Sequence, residues 1–183
     1  MPAEKDSSDT GTGTEADTAG KEGGGHTPVL DAVALHDTGS AAALVGHPVH
    51  AMLVHFPIAF VVGTLGADVM WWFGGDEFWQ RAGLWASGLA FLGGIAAALA
   101  GTAELVLVKG IRIRVASWTH ATAAMMLISI LGTNWGFRLG GGEILPHGLA
   151  LSALGVLFAG FAGWHGGKLV LDHGVSVMVS PRR

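Results

Sequence analysis

The sequence predicts an all-α integral membrane protein, a four-helix bundle that follows a disordered acidic N-terminal tail. Half of the 183 residues are hydrophobic, only 13% are charged, and the mean hydropathy is +0.50, values typical of membrane proteins. Four apolar stretches each have about the 20 residues that a helix needs to cross a hydrocarbon core of ~30 Å. Because backbone groups find no water in lipid, each stretch is expected to be helical.

The charges divide the chain into two parts. Residues 1–46 hold eight acidic residues and two lysines, a balance of −6, whereas the remainder holds six acidic and eight basic residues, a balance of +2. Residues 1 to about 25 are mostly Gly, Ser, Thr, Asp and Glu, a composition that predicts disorder. No apolar run near the start resembles a signal peptide, so we expect the tail to be retained. The predicted domains are therefore a tail, 1–46, and a transmembrane domain, 47–183.

The four predicted spans cover about 50–73, 83–108, 115–137 and 145–171. The loop between the second and third spans is basic, with Lys109, Arg112 and Arg114. The C-terminal end is basic as well, with Lys168, Arg182 and Arg183. Because basic loops tend to remain in the cytoplasm, both termini are predicted to be cytoplasmic, with the protein in the bacterial inner membrane.

The chain has no cysteine. A disulfide framework, a thiolate zinc site, an iron–sulfur cluster and a covalently attached haem are therefore excluded on this chain. Any cofactor has to be held by His, Glu, Asp, Met or backbone groups. No acid–base pair or substrate motif makes the chain a catalyst on its own, and no motif indicates nucleic acid as a partner.

Four ionisable residues are predicted at one depth of the bundle, near its cytoplasmic face: His55, Glu104, His120 and His165. Ionisable side chains are costly inside a membrane, which favours a functional role, and facing side chains of a four-helix bundle commonly hold cofactors. Three further histidines lie nearer the surface and are weaker candidates: His47, His50 and His173. In the outer half, Asp68 is expected to pair with Arg138, Arg81 or Asn134.

Three interpretations follow from this cluster. In the first, His55 and His120 are the axial ligands of one b-type haem, His165 can replace either, and Glu104 orients a ring. In the second, all four residues bind a transition-metal ion. In the third, the histidines reach the headgroups or join helices, and the chain is a cofactor-free accessory subunit of a respiratory or photosynthetic complex.

Four segments resemble one family: GHPVHAMLVHFPIAFVVGTLGADVMWW at 46–72, AALAGTAELV at 97–106, Arg114 with SWTHATAAM at 117–125, and GWHGGKLVLDHGVSV at 163–177. They are similar to a bacterial family of predicted four-span membrane proteins of unknown function, family two-two-three-one. The resemblance covers about 46–179. The matching positions include His47, His50, His55, Asp68, His120 and His173; an acidic residue is common at the position of Glu104, and His165 is less typical.

The resemblance implies membrane redox work, because some members accompany Rieske-type ferredoxin domains. This chain contains no such domain, so that partner would be a separate protein. The leading prediction is a membrane electron-transfer subunit with one b-type haem near the cytoplasmic face. It would exchange electrons with a redox protein or with quinone.

Overall fold

A computed structural model describes residues 43–44 and 47–175. Two short strands, β1 (Ala43–Leu44) and β2 (His47–Pro48), pair in antiparallel fashion before the first helix. Then follow the helices α1 (Val49–Leu53), α2 (His55–Gly74), α3 (Glu77–Leu107), α4 (Lys109–Arg112), α5 (Val115–Leu139) and α6 (Leu149–His173). A π-helical turn, Ile144–Gly148, leads into α6.

The four-helix prediction is confirmed. Four helical segments are long and apolar enough to cross a membrane: Val49–Gly74, Glu77–Leu107, Val115–Leu139 and Ile144–His173. The second begins six residues before its predicted start because Asp76 caps it, its carboxylate accepting a hydrogen bond of 2.8 Å from the Phe78 amide. Most of the predicted tail lies outside the described residues.

The first segment is interrupted between α1 and α2, at Val54. Pro57 lies four residues beyond Leu53, so the Leu53 carbonyl loses its helical N–H partner and meets the proline ring. Such a proline breaks or bends a helix at the preceding turn. The break separates the turn that carries His50 from the helix that begins at His55.

The four long helices pack in a ring, with α2 against α3, α3 against α5, α5 against α6, and α6 against α2. Therefore α2 and α5 face each other across one diagonal of the bundle. The centre of the bundle is filled by an apolar cluster of four buried residues, the apolar plug, with one residue from each helix: Val61, Ala90, Leu131 and Ala159. A second apolar cluster, which includes Leu105 and Leu169, closes the end near α4.

The outer surface of the bundle is largely apolar, and its interior contains buried polar side chains beside the apolar clusters. Large side chains such as Trp85 and Leu171 are 73% and 85% exposed, whereas the largest fully buried side chains are Asn134, Asp68, Ser87 and Ser152. In lipid, an apolar outer surface carries no free-energy penalty, and hydrogen bonds between buried polar groups help to hold the helices together. The interior polar groups gather at the two ends of the bundle.

Candidate functional site

At the end of the bundle next to α4, His50 of α1 and His120 of α5 meet across the diagonal. We call these two residues the histidine pair. Their ring centroids are 6.2 Å apart and the ring planes are inclined at 78°. Both side chains are half-buried. The two rings therefore bring the first and third membrane segments together, although the main bodies of these helices do not pack on each other.

Each ring of the histidine pair is fixed by a backbone carbonyl of a neighbouring helix. His50 Nδ1 lies 2.8 Å from the Ala97 carbonyl oxygen of α3, and His120 Nδ1 lies 3.1 Å from the Ala162 carbonyl oxygen of α6. A carbonyl oxygen only accepts, so Nδ1 carries the proton in both rings. The proton on Nδ1 leaves the Nε2 lone pair of a neutral imidazole available to a ligand.

Two glycines make room for the histidine pair. A methyl group on Gly101 of α3 would lie 2.8 Å from His50 Nδ1, and one on Gly166 of α6 would lie 3.0 Å from His120 Cε1. Alanine at either position would push the ring away from its place. All four membrane segments thus build this site, two with a histidine and two with a glycine and a carbonyl.

Two further polar groups are buried at this end. Glu104 is 4% exposed and lies one helical turn beyond Gly101 on α3. Ser117, in the first turn of α5, is 3% exposed, and its hydroxyl has no hydrogen-bond partner within the part of the chain that the structure describes. The end of the bundle that holds the histidine pair is therefore polar beyond the two rings.

The predicted four-residue ligand set does not form. His55 is exposed and its Nδ1 lies 3.4 Å from the Met52 carbonyl oxygen of the preceding turn. His165 bonds to the Phe161 carbonyl oxygen of its own helix at 2.9 Å, with its ring against the Phe161 ring. Among residues 43–44 and 47–175, no three His, Cys, Asp or Glu side chains are grouped for a metal ion.

His50, and not the predicted His55, is the histidine that lies across from His120. Five helical residues correspond to about 140° of rotation, so the two histidines cannot both face the interior. His173, the other surface candidate, has its Nδ1 3.3 Å from Arg114 Nη1. The side chain of His47 lies outside the described residues.

The other end of the bundle holds a second polar cluster, the Arg138 network, formed by Asp68, Asn134, Arg138 and Ser152. Arg138 Nη2 donates to Asp68 Oδ2 at 2.6 Å and to Ser152 Oγ at 3.0 Å. Arg138 Nε donates to Asn134 Oδ1 at 2.8 Å, and the Ser152 hydroxyl donates to Asp68 Oδ2 at 2.6 Å. Of the three partners predicted for Asp68, the structure shows Arg138.

The Arg138 network is satisfied almost entirely by its own members. Asp68 is 0% exposed, and Asn134 Nδ2 also donates to Ser152 Oγ at 3.0 Å. Only Asp68 Oδ1 has no partner among the described residues, and it faces Gly83 of α3, where a methyl group would lie 3.3 Å away. Ser152 was not predicted from the sequence, because a serine in an apolar span carries no signal of its partner.

The spacing of the histidine pair can be compared with that of two imidazoles on one metal atom. Rings bound on opposite sides of the atom, through bonds of about 2 Å, would have centroids roughly 6 Å apart. The observed 6.2 Å agrees with this spacing. The two rings occupy the space that methyl groups on Gly101 and Gly166 would take. The donor set, two neutral imidazoles, suits a b-type haem iron or a borderline transition metal.

Comparison with known proteins identifies a family and nothing beyond it. No curated protein and no solved structure matches the chain. One family model, described as a predicted membrane protein (DUF2231), matches residues 46–178. That range includes both the histidine pair and the Arg138 network. The chain therefore belongs to the DUF2231 family of predicted membrane proteins.

Proposed function

We propose that this protein is a membrane electron-transfer subunit that binds one b-type haem between His50 and His120. The observation that carries the proposal is the histidine pair itself: two half-buried rings, 6.2 Å apart, from segments on opposite sides of the bundle. Both Nδ1 atoms are already engaged by carbonyl oxygens. The proposal retains His120 from the predicted ligand pair and replaces His55 with His50.

Each residue of the site has a role in this proposal. The Nε2 atoms of His50 and His120 would be the axial ligands. The Ala97 and Ala162 carbonyls hold the rings in one tautomer and increase the basicity of the ligating nitrogens, as second partners of ligand histidines generally do. Gly101 and Gly166 keep the neighbouring helices clear of the rings.

A bound haem would supply a one-electron centre, and the chain would supply its position and surroundings. The site lies at the end of the bundle that bears the basic loop, which the positive-inside tendency assigns to the cytoplasm. A redox centre at that depth is suited to a soluble redox protein or a quinone as its electron partner. The Rieske-type proteins suggested by the family resemblance belong to the first class.

A reduced-minus-oxidised absorption spectrum of the purified protein, expressed with added haem, tests the proposal. We expect a sharp alpha band that is lost in His50→Ala and in His120→Ala. His55→Ala and His165→Ala are matched controls, because each ring bonds to a carbonyl of its own membrane segment, and both variants should keep the band. A band lost in His55→Ala and retained in His50→Ala would show that His55, as predicted from the sequence, is the ligand.

A featureless spectrum of the wild-type protein would contradict the haem proposal. Elemental analysis of the same sample then separates the two remaining functions. A stoichiometric transition metal that is lost in His50→Ala or His120→Ala would make the chain a metal-binding membrane protein. A metal-free sample would leave the accessory-subunit interpretation.

A further inference from the structure

The end of the bundle near the histidine pair carries a concentrated positive charge. Lys109 and Arg112 are exposed on α4, and Arg114 is partly exposed just beyond it. We call these three residues the basic surface. Lys168 of α6 lies at the same end but is paired with Asp172 at 3.9 Å. The basic surface therefore contributes a local charge of +3.

The two arginines of the basic surface donate to backbone carbonyl oxygens. Arg112 Nη1 donates to the Val106 carbonyl oxygen at 3.2 Å, and Arg114 Nε donates to the Gly110 carbonyl oxygen at 3.1 Å. Arg114 Nη1 also contacts the His173 ring. These neutral acceptors orient the guanidinium groups and leave their charge uncompensated. A cluster of this kind attracts a negatively charged partner.

The chain contains a negatively charged segment of matching size that joins the bundle at this same end. Residues 1–42 contain eight acidic residues and two lysines, a net charge of −6. They lead into β1, and the paired β2 leads directly into α1, whose His50 rests on Gly101 of α3. Lys109 follows Gly101 by eight residues, a rise of about 12 Å along the chain.

Chain length allows the acidic segment to reach every part of the basic surface. A segment of 42 residues can span at most about 140 Å, far more than the width of a four-helix bundle. Because the segment is tethered, its effective concentration at the surface is on the order of millimolar. Weak ion pairs that would not hold a free peptide can therefore hold this one.

We propose that the acidic segment, residues 1–42, docks on the basic surface of its own chain. The docked segment would pair with the charges of Lys109, Arg112 and Arg114. The docking depends on charge alone and stands whether or not the histidine pair binds haem.

Because the chain has no native cysteine, two labels can be placed in the full-length protein without background. We would introduce Thr18→Cys in the acidic segment and Ile113→Cys, a 71% exposed position between Arg112 and Arg114. Spin labels at these positions report the distance distribution by pulsed electron resonance. The protein is placed in lipid nanodiscs, either of phosphatidylcholine or with added anionic phosphatidylglycerol.

We expect a population of short distances at low salt that is lost at about 1 M salt, where the Debye length is about 3 Å. The double variant Lys109→Glu with Arg112→Glu should reduce the short population at least about fivefold. Arg81→Glu, an exposed arginine at the opposite end of the bundle, is the matched control and should leave it unchanged.

Three results would overturn the proposal. The first is a distance distribution that does not respond to salt. The second is a short population that survives the double charge reversal, because the segment would then be held by something other than the basic surface. The third is a short population that disappears when anionic lipid is present, which would assign the basic surface to lipid headgroups.

Discussion

The histidine pair and the Arg138 network occupy equivalent places at opposite ends of the bundle. Each joins the first and third membrane segments across the same diagonal, with a side chain from each segment. Beside each, a glycine of α3 gives up the space that a side chain would fill: Gly101 next to His50 and Gly83 next to Arg138. The apolar plug around Val61 and Leu131 separates the two clusters.

The two clusters differ in how completely they satisfy themselves. In the Arg138 network, five hydrogen bonds connect the four side chains, and a single oxygen, Asp68 Oδ1, has no partner within the described part of the chain. In the histidine pair, the Nδ1 atom of each ring bonds to a backbone carbonyl oxygen. The Nε2 atom of each ring is the one that we propose as a ligand. We therefore interpret the Arg138 network as structural, and the binding role that we propose belongs to the histidine pair.

Arg138→Met should have the largest effect on stability, because it leaves the Asp68 carboxylate buried without its cation. Breaking a buried ion pair from one side typically costs about 3–5 kcal/mol. The measurement is thermal or denaturant unfolding in detergent. Lys168→Met is the matched control, since it removes a surface pair at 3.9 Å that is more than half exposed; such pairs contribute about 0.5 kcal/mol.

The double variant Asp68→Leu with Arg138→Met removes both charges and should recover much of the lost stability, as apolar replacements of buried ion pairs often do. A haem or metal spectrum in this variant should match that of the wild-type protein. If the double variant lost the spectrum while remaining folded, the two ends of the bundle would be functionally coupled and the division between fastening and site would be wrong.

Alanine at the two α3 glycines compares how firmly each polar group is held. In Gly83→Ala the methyl group would meet Arg138 Nη1 at 2.9 Å, within a locked ion pair; in Gly101→Ala it would meet the His50 ring. Overpacking costs about 1–3 kcal/mol, and we expect Gly83→Ala at the upper end and Gly101→Ala at the lower. Gly136→Ala, which meets nothing within 4 Å, is the control.

Cofactor occupancy, measured from the spectrum, should be affected more by Gly101→Ala than by Gly83→Ala, the reverse of the order expected for stability. Gly101→Ala should lower cofactor occupancy, because His50 would be displaced from the Ala97 carbonyl, whereas Gly83→Ala should leave occupancy per folded protein unchanged. Equal occupancy in both variants would show that the position of His50 is not critical for binding.

The sequence predicted the spans, and it narrowed the partner of Asp68 to three residues that include Arg138, because both depend on simple quantities. Span length follows from bilayer thickness, and a buried aspartate near the end of one span needs a cation such as Arg138 at the same depth. The inward-facing histidine was not predictable in the same way. The spans are apolar around their whole circumference, so no hydrophobic face indicates how a helix is rotated.

Ser152→Ala should have an intermediate effect on stability. Its hydroxyl donates to Asp68 Oδ2 and accepts from Asn134 and Arg138, so its removal costs one donor and leaves two N–H groups short of an acceptor. Groups left unsatisfied in this way cost about 1–3 kcal/mol, and the intact Arg138–Asp68 bridge keeps the loss below that of Arg138→Met. The same unfolding measurement applies. A loss equal to that of Arg138→Met would mean that the serine, and not the charge pair, organises the network.

His55→Ala should have the smallest effect of all, and it tests the comparison at its most sensitive point. His55 lies five residues from His50, in the same membrane segment and on its exposed side, bonded only to the carbonyl of its own preceding turn. Exposed substitutions of this kind change stability by no more than about 0.5 kcal/mol. His50→Ala, by contrast, removes the ring that lies on Gly101 and bonds to Ala97. Measured together by unfolding and by cofactor spectrum, the two variants should differ in both readouts. If they behaved alike, burial and carbonyl contact would not be what selects the functional histidine.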